Sequence, residues 1–351
     1  MPPPLLLDDN LLMEILSWLP LKPLKQVRCV CKFWNSLITS PQFAKLRQQR
    51  SADICLMFGY PDIDSGQYSA SSCSVSSFLE NHSRIVAASR HEPQLRPLNK
   101  KYLFAEYRFI GTCYGLISLL NVLYDLLDQK YCYRISLWNP TLNSISQEWQ
   151  PLYSVEKRTF GFGYDYFSNT FKVVAVNRTQ MMEVYNMGGN SWRSIKSSYA
   201  FPNTQQEQDG VYLSGTLNWV GLRDIVSFDL GKENWAQLSL PRCRNSFDIT
   251  TLGILRDCLC VFYYSSNQHL VIWQMKKFRV HDSWTQIMKF DYTRSSFPLY
   301  KALVPLFMSD NDDVVLLSEA QVQGRSHRGG LPVLRAPESF RYSVLLCIFF
   351  F

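Results

Sequence analysis

Four tryptophans recur at nearly constant spacing through this chain of 351 residues. Trp149, Trp192, Trp235 and Trp284 follow one another at intervals of 43, 43 and 49 residues, and each comes after an apolar run and a polar turn. A repeat of about 40 to 50 residues with four short strands is typical of propeller blades, because one blade cannot bury both of its faces and packs against its neighbours. The spacing therefore predicts an all-β, propeller-like domain.

A glycine-marked strand entry lies in the middle of each repeat. The segments are GTCYGLISLL, GFGYDYFSNTFKVVAV, GVYLSGTLNWV and LGILRDCLCVFYY. Glycine permits a tight turn or a close approach of two backbones, and we expect the aromatic residues to pack between blades. For the four tryptophans we therefore favour a packing role over a binding role.

A different pattern, with helical periodicity, occupies residues 5–47. One apolar helix face is formed by Leu11, Leu12, Ile15, Leu16 and Leu19. Asp8, Asp9 or Asn10 can cap this helix, and further apolar stripes predict two or three more short helices. The pattern alone also suits the core of a small helical bundle. A unit of this size covers few apolar groups, so those left uncovered mark an interaction surface.

The segment MEILSWLPLKPLKQVRCVCKFWNSLITSPQFAK resembles the F-box of plant F-box proteins, with its EIL helix, leucine-proline pair and RCVCKxW core. F-box proteins are the substrate receptors of SCF-type ubiquitin ligases. The resemblance implies that this segment binds a Skp-type adaptor and, through it, a cullin scaffold. The adaptor-binding residues it implies are Leu12, Ile15, Leu16, Leu19, Pro20, Leu24, Val27, Cys29, Val30, Cys31 and Trp34. The family's first leucine-proline pair falls on Leu7 and Asp8, so we expect an altered N-terminal edge of the adaptor contact.

The repeats resemble the plant F-box-associated domain, which is related to kelch-type propellers. The segments WNPTLNS, GFGYDYFSNTFKVV, EVYNMGGNSWRSI, GVYLSGTLNWV, IVSFDLGKENW and IWQMKKFRVHDSWTQI match that family in the expected order. With the box, the resemblance covers roughly residues 5–318. It implies that the β domain binds a target protein, whose identity the sequence does not give.

These patterns predict an α+β multidomain chain in four parts. They are the F-box over 5–50, a connector with the first strands over 51–103, the kelch-like β-propeller over 104–318 and an atypical tail over 319–351. The tail has no blade period, and we expect its polar half to be disordered. We interpret it as a truncated or alternatively spliced reading of a longer gene, which would leave the propeller incomplete at its C-terminus.

Composition argues against several other classes of protein. The net charge of +7 is spread along the chain without a dense Lys/Arg block, so we do not expect nucleic-acid binding. No run of about 20 apolar residues is present, so we expect no membrane span. The N-terminus MPPPLLLDDN lacks the positive region of a signal peptide, and the 10 cysteines include no Cys-x-x-Cys pair. We expect reduced thiols and a location in the cytoplasm, the nucleus or both.

No catalytic, metal-binding or cofactor motif stands out in the sequence. The five histidines are scattered, and neither an HExxH nor a GxSxG motif nor a phosphate loop is present. We therefore expect a non-catalytic subunit without a metal or cofactor. Such a subunit acts by proximity, because it holds a target beside a charged ubiquitin donor.

Target recognition is expected on the propeller turns, which are rigidly mounted and variable. Candidates are 60–77, 121–133 and 201–209, although an ordinary solvated turn is the favoured interpretation of each. One alternative function is a propeller that binds a glycan or small molecule, or a kelch-type oxidase, which would need metal ligands that the sequence lacks. Another is a degenerate copy that binds the adaptor but no target.

Overall fold

The computed structural model describes most of the chain. The described residues are 8–19, 21–48, 54–61, 68–74, 89–91, 104–140, 144–146, 148–177, 181–189, 191–197, 208–221, 224–241, 249–265, 269–291, 303–308, 314–318, 321–325, 333–335 and 343–348. Within these ranges the α-helices come first, and the remaining elements are β-strands apart from one short 3₁₀ helix.

The N-terminal unit, which we call the box, is built from short helices separated by capped turns. The helices are α1 (Asp9–Ser17), α2 (Leu21–Val27), α3 (Lys32–Ile38) and α4 (Pro41–Gln48). Asp8 caps α1, where its carboxylate accepts the N–H of Asn10 at 3.5 Å. The side chains of Cys31 and Ser40 cap α3 and α4 in the same way. Each cap provides a partner for a backbone N–H that has none inside its helix.

The described strands form six antiparallel sheets, which we number as blades 1 to 6. Blade 1 contains β1 (Ile54–Pro61), β2 (Tyr68–Ser74), β3 (Ser89–His91) and the last strand of the chain, β25 (Ser343–Ile348). Blade 2 contains β4 (Phe104–Cys113), β5 (Leu116–Asp125), β6 (Lys130–Asn139), β7 (Ser144–Ile145) and β8 (Leu152–Ser154), and both β7 and β8 pair with β6. Blade 3 contains β9 (Thr159–Asp165), β10 (Thr170–Val176), β11 (Met181–Asn186) and β12 (Arg193–Lys196).

The remaining blades repeat the same order of strands. Blade 4 contains β13 (Val211–Leu213), β14 (Thr216–Val220), β15 (Asp224–Asp229) and β16 (Asn234–Ser239). Blade 5 contains β17 (Ile249–Leu255), β18 (Cys258–Ser265), β19 (His269–Met275) and β20 (Trp284–Asp291), with the 3₁₀ helix His281–Ser283 before β20. Blade 6 contains β21 (Leu303–Met308), β22 (Val314–Ser318), β23 (Gln321–Arg325) and β24 (Val333–Arg335).

One strand of each blade lies next to its counterpart in the neighbouring blade. From blade 2 onward these inner strands are β4, β9, β13, β17 and β21, each in contact with the next. Strand β25 contacts both β4 and β21, so it takes the inner position of blade 1. The six inner strands therefore form a ring, which is the arrangement of a β-propeller. The predicted order, a helical box followed by a propeller, is confirmed.

In its described parts, the C-terminal segment differs from the expected atypical tail and incomplete propeller. Residues 319–320, 326–332, 336–342 and 349–351, which include much of the polar half expected to be disordered, lie outside the described residues. The structure places β23, β24 and β25 beyond residue 319. Strand β25 pairs with β1 over its whole length, with Ser343 opposite Gly59 and Ile348 opposite Ile54. The physical reason is that β1 would otherwise present an unpaired edge, and the apolar sequence SVLLCI suits a strand at that edge. The first and the last strands of the chain thus share one blade.

The period of the four tryptophans corresponds to one blade. Each tryptophan lies at the outer part of its blade. Trp192 precedes β12, and Trp235 and Trp284 lie at the starts of β16 and β20. The backbone N–H of Trp149 donates to the Ile135 carbonyl oxygen of β6. The Nε1 of Trp192 donates to the Gln150 carbonyl oxygen at 2.8 Å, and that of Trp284 donates to the Ser239 carbonyl oxygen at 3.0 Å. Both bonds reach the preceding blade, which supports the packing role.

Two glycines show why blades 3 and 4 approach so closely. A Cβ at Gly163 in blade 3 would lie 2.2 Å from Cδ2 of Tyr212 in blade 4. The N–H of Gly210, just before β13 of blade 4, donates to the Phe160 carbonyl oxygen of blade 3 at 2.6 Å, and a Cβ at Gly210 would lie 2.5 Å from Cε2 of Trp219. Both Cβ distances are far shorter than any carbon–carbon contact in a packed core. Glycine is therefore required at these two positions, as the predicted close approach implies.

Candidate functional site

Most of the predicted adaptor-binding residues of the box help to hold its helices together. Leu12, Leu16 and Leu24 are buried, and they form the core of the box with Ile38 and Phe43. Partly buried side chains that pack against this core are Leu19, Val27 and Trp34. A side chain inside the core presents no surface to a partner, so Leu12, Leu16 and Leu24 support the helices from within. The three partly buried side chains keep some surface exposed to solvent.

The other predicted residues are exposed. They are Ile15, Cys29, Val30 and Cys31. Ile15 is 48% exposed and Val30 is 63% exposed, so both present apolar surface to solvent. Pro20 lies outside the described residues. The structure therefore divides the predicted set between a supporting core and a surface.

Three exposed apolar residues of the box were missing from that set: Leu11, Trp18 and Phe33. Leu11, Ile15 and Trp18 follow the i, i+4, i+7 pattern, so they share one side of α1, which we call the α1 face. Trp18 is 71% exposed. The sequence did contain a signal for these exposed residues, namely the width of the apolar pattern. Helix α1 carries apolar residues around more of its circumference than a single buried stripe needs.

Two arginines fix the helices that carry these residues. The guanidinium of Arg47 on α4 donates to the Leu19 carbonyl oxygen at 2.7 Å, which joins α4 to the end of α1. Nε of Arg28 donates to Oδ1 of Asn35 at 3.0 Å, which joins the end of α2 to α3. Burial lowers the pKa of Arg47, but a guanidinium stays charged at neutral pH. The exposed apolar residues are thus held on a defined scaffold.

The two ends of the propeller carry different turns. The turns between the first and second strands and between the third and fourth strands of a blade lie at one end, which we call the hairpin face. Contacts between neighbouring blades join these turns: the hydroxyls of Tyr114 and Tyr166 are 2.6 Å apart, and Arg279 lies 3.8 Å from Asp229. The turns between second and third strands lie at the other end, which we call the opposite face.

A buried ion-pair network joins blades 3 and 4 beneath the hairpin face. Nζ of Lys172 lies 2.9 Å from Oδ2 of Asp165 and 3.0 Å from Oε1 of Glu233. The Lys172 and Asp165 side chains are 4% and 1% exposed. Glu233 also pairs with Arg193, which is half exposed. Because buried charges need partners, this network fixes the two turns that carry Asp165 and Glu233.

The pKa of Asp165 is lowered although the group is buried. Burial alone would raise this pKa, but hydrogen bonds from Ser168, Lys172 and the Phe167 N–H, with the charge of Lys172, outweigh it. The pKa of Glu233 is lowered for the same reason, because Arg193 and Lys172 outweigh its burial. Both carboxylates are therefore ionised at neutral pH.

The candidate target-binding turns have different structures. Residues 121–133 form the end of β5, a tight turn on the opposite face and the start of β6. Leu126 and Leu127 in this turn are 54% and 86% exposed. Residues 62–67, 75–77 and 201–207 lie outside the described residues. The amide of Gln208 bonds both the N–H and the carbonyl of Leu252, and Asp209 pairs with Arg108 at 2.7 Å, so these two residues join blades.

The described residues give no sign of a metal site. Among them, no group of three or more His, Cys, Asp or Glu side chains is placed to hold an ion. In the same part of the chain, every helix is too short or too polar to cross a membrane. The thiols of Cys55, Cys113, Cys132 and Cys260 are buried and lie outside any disulfide. Burial raises the pKa of Cys260 to about 12, so this thiol stays protonated.

Comparisons with known proteins match both parts of the chain. The family model of the F-box domain matches residues 4–46, and that of the F-box associated beta propeller domain matches residues 69–329. The Arabidopsis thaliana F-box/kelch-repeat protein At3g23880 is 32% identical, over 86% of this chain and 83% of that protein. The F-box protein At3g07870 of the same plant is 25% identical, over 79% of this chain and 71% of that protein.

Solved structures resemble the chain more distantly. The SapL1 lectin in complex with alpha methyl fucoside aligns with a TM-score of 0.43 and 9% identity, over 78% of this chain and 90% of the lectin. The six-bladed β-propeller lectin of Aleuria aurantia aligns with a TM-score of 0.41 and 9% identity, over 68% of this chain and 81% of the lectin.

The two family matches follow the same order as the helical box and the blades. The propeller match alone spans most of the chain, and F-box proteins are typically non-catalytic adaptor subunits. The chain therefore belongs to the F-box proteins that carry an F-box associated beta propeller domain.

Proposed function

We propose that this chain is the substrate-recognition subunit of an SCF-type E3 ubiquitin ligase. The box binds a Skp-type adaptor and through it a cullin scaffold, and the propeller binds a target protein that is then ubiquitinated and degraded. The observation that carries the proposal is the set of apolar side chains that the box leaves exposed on α1, at Leu11, Ile15 and Trp18. Val30 and Phe33 add apolar surface near the start of α3.

The energetics of these residues favour a partner. Full burial of a large apolar side chain contributes about 1.5–3 kcal/mol relative to full exposure, so covering a half-exposed one contributes roughly half of that. The three residues of the α1 face together would contribute a few kcal/mol in that approximation. An adaptor that covers this face would stabilise both the complex and the small box itself.

The chain itself has no catalytic role in this proposal. Ubiquitin transfer belongs to other subunits, and the receptor raises the effective concentration of the target beside the charged donor, into the millimolar range for a well-matched linkage. The ligase would act in the cytoplasm, the nucleus or both, which agrees with the buried, reduced thiols in the described part of the chain.

Co-purification and calorimetry with a recombinant Skp-type adaptor test the proposal. The informative variant is Ile15→Asp/Trp18→Ala, because both side chains are exposed and their loss leaves the box core in place. Leu16→Asp is unsuitable, since Leu16 is buried and a carboxylate there would unfold the box. Gln42→Asp is the matched control, because it places the same charge at an exposed position of α4.

We expect the wild type and Gln42→Asp to bind the adaptor alike, and Ile15→Asp/Trp18→Ala to bind at least about tenfold more weakly. Unchanged helix content in the double variant would show that the box still folds. The proposal fails if the wild type does not bind any Skp-type adaptor. The assignment of the α1 face fails if the double variant binds as tightly as the wild type.

A further inference from the structure

The hairpin face of the propeller leaves several apolar side chains largely exposed to solvent. Phe167 is 91% exposed and Tyr166 beside it is 50% exposed. Met187 and Val280, on turns of blades 3 and 5, are 39% and 46% exposed. Single exposed apolar residues are common, but several on one face, with an almost fully exposed phenylalanine, mark an interaction site.

Phe167 is held outward by a rigid turn. Oδ1 of Asp165 accepts the N–H of Phe167 at 2.8 Å, and Oδ2 accepts the hydroxyl of Ser168 at 2.5 Å. Asp165 itself is fixed by the buried Lys172. A side chain presented on a fixed turn loses little conformational entropy when a partner covers it, so this turn is suited to supply a binding anchor.

The aromatic turn is continuous with the turns of blades 4 and 5. A Cβ at Gly231 would lie 3.3 Å from Cβ of Phe167, so the blade 4 turn packs directly against the turn that carries Phe167. Asp229, two residues before Gly231, lies 3.8 Å from the guanidinium of Arg279 in blade 5. The apolar side chains and the charged groups of these three blades therefore belong to one surface.

The charges of this surface are arranged by sign. Cationic side chains that point to solvent are Lys232, Lys276, Lys277 and Arg279. The acidic groups nearby are turned inward: Asp165 pairs with Lys172, Glu233 lies between Lys172 and Arg193, and Asp229 accepts the N–H groups of Gly231 and Lys232. Only Asp257 and Asp282 are exposed acids on the described turns of blades 3 to 5 at this face. The solvent side is consequently positive around an aromatic anchor.

The opposite face also carries an exposed apolar patch, but the charges around that patch differ from those on the hairpin face. Leu126, Leu127, Tyr153 and Val155 of blade 2 are 54%, 86%, 63% and 70% exposed, so this patch is also apolar. Its surroundings carry both signs of charge, with exposed Asp128, Glu156, Lys130 and Lys157. The charge around this blade 2 patch therefore does not select for a partner of either sign.

We propose that the hairpin face of blades 3 to 5 binds the target, and that the target presents an acidic peptide segment with an apolar or aromatic side chain that contacts Tyr166 and Phe167. This inference rests on the proposed function, and it specifies the chemistry of the partner. Aromatic residues and arginine are the residue types that most often dominate binding energy at protein interfaces. Complementary charge directs the encounter and excludes basic partners.

A peptide selection tests this inference on the full chain bound to its Skp-type adaptor. A random peptide library displayed on phage is selected on the complex, and the enriched peptides are synthesised and measured by fluorescence polarisation. The variants are Phe167→Ser, the charge reversal Lys232→Glu/Lys277→Glu/Arg279→Glu, and the control Leu126→Ser/Leu127→Ser on the opposite face. All changed side chains are exposed, and thermal unfolding of each variant checks that the blades remain folded.

We expect enriched peptides with acidic residues around an apolar one, and affinity that falls as salt rises. Binding should weaken at least about tenfold in Phe167→Ser and in the charge reversal, and stay unchanged in the opposite-face control. The inference is overturned if no peptide is enriched, if the enriched peptides are neutral or basic, or if binding depends on Leu126 and Leu127. It is also overturned if the peptides bind Phe167→Ser normally and a DNA oligonucleotide displaces them, since that is nonspecific polyanion binding.

The same experiment separates the two proposals. Adaptor binding is measured first, without any peptide. If the adaptor does not bind, the proposed receptor function fails. Peptide selection on the chain alone then still tests whether the hairpin face binds acidic peptides. If the adaptor binds and the selection gives an overturning result, only the inference about the hairpin face fails.

Discussion

The core of the box is formed by Leu12, Leu16, Leu24, Ile38 and Phe43, whereas each pair of neighbouring blades from blade 1 to blade 5 buries a core of its own. The box leaves apolar residues of similar size exposed on α1, but the propeller exposes them mainly on its turns. The two parts of the chain therefore depend on partners to different degrees. Under the proposed function, the propeller needs a partner only for target recognition, while the box would also gain stability from its adaptor.

The largest loss of stability is expected from substitution of the buried lysine of the propeller, and it should be confined to the propeller. Lys172→Met leaves the carboxylate of Asp165 buried without its main partner, and loss of one member of a buried pair costs about 3–5 kcal/mol. Chemical denaturation of the propeller measures this change, and adaptor binding by the box should be unaffected. The double variant Lys172→Met/Asp165→Asn should recover much of the loss, because it removes the unpaired charge. A double variant as unstable as the single one would contradict the electrostatic explanation.

The same pair gives the propeller a defined response to acid. The folded-state pKa of Asp165 lies below its usual value of 3.8, so its ionised form stabilises the fold above about pH 4. That stability is lost as the pH falls through the lower, folded-state pKa. The difference in unfolding free energy between wild type and Asp165→Asn should therefore be constant from neutral pH to about pH 5 and shrink below about pH 4. A difference that grows on acidification would contradict the assigned direction.

A cavity in the box core should cause the second largest loss of stability. Leu16→Ala removes a side chain that is 2% exposed, and such substitutions cost about 2–5 kcal/mol. A box with so small a core should lose its helices, while the blades keep their strands. Hydrogen exchange of the α1–α4 amides measures this, with the exposed substitution Gln42→Ala as control. Equal loss of protection in box and blades would mean that the two parts do not differ as described.

A methyl group between blades 3 and 4 should have an intermediate effect. Gly163→Ala places a Cβ against the ring of Tyr212, and overpacking of this kind typically costs about 1–3 kcal/mol. Denaturation of the propeller measures the cost. The control Ser194→Ala adds no atom and lies on the exposed outer strand β12, so it should change stability by less than about 0.5 kcal/mol. If both variants unfold at the same denaturant concentration, the close approach at Gly163 is not required.

The smallest expected effect comes from the indole bond between blades. Trp192→Phe keeps most of the ring packing but removes the hydrogen bond to the Gln150 carbonyl, which contributes about 0.5–1.5 kcal/mol. Trp284→Phe removes the equivalent bond to Ser239 and should cost a similar amount. A thermal unfolding series compares the two variants. A cost several times larger would indicate that the ring, and not its N–H, determines blade packing.

The sequence predicted the elements that depend on local pattern. The spacing of the tryptophans predicted the blades, because each blade repeats the same outer strand. The apolar periodicity and the capping residue Asp8 predicted α1. Strand β25 was missed, since its pairing with β1 joins residues at opposite ends of the chain and leaves no local signal. The division of the box residues was also missed. Whether Leu16 or Ile15 points inward depends on how α1 packs against the other helices, which periodicity alone does not determine.

Hydrogen–deuterium exchange of the full chain, alone and with a Skp-type adaptor, tests most directly the claim that the box needs a partner and the propeller does not. The account predicts that amides of α1 to α4 exchange quickly in the free chain and become protected in the complex. Amides in the central strands of blades 2 to 5 should be slow in both states. Box amides that are already fully protected in the free chain, or protection gained in the blades instead of the box, would contradict the account.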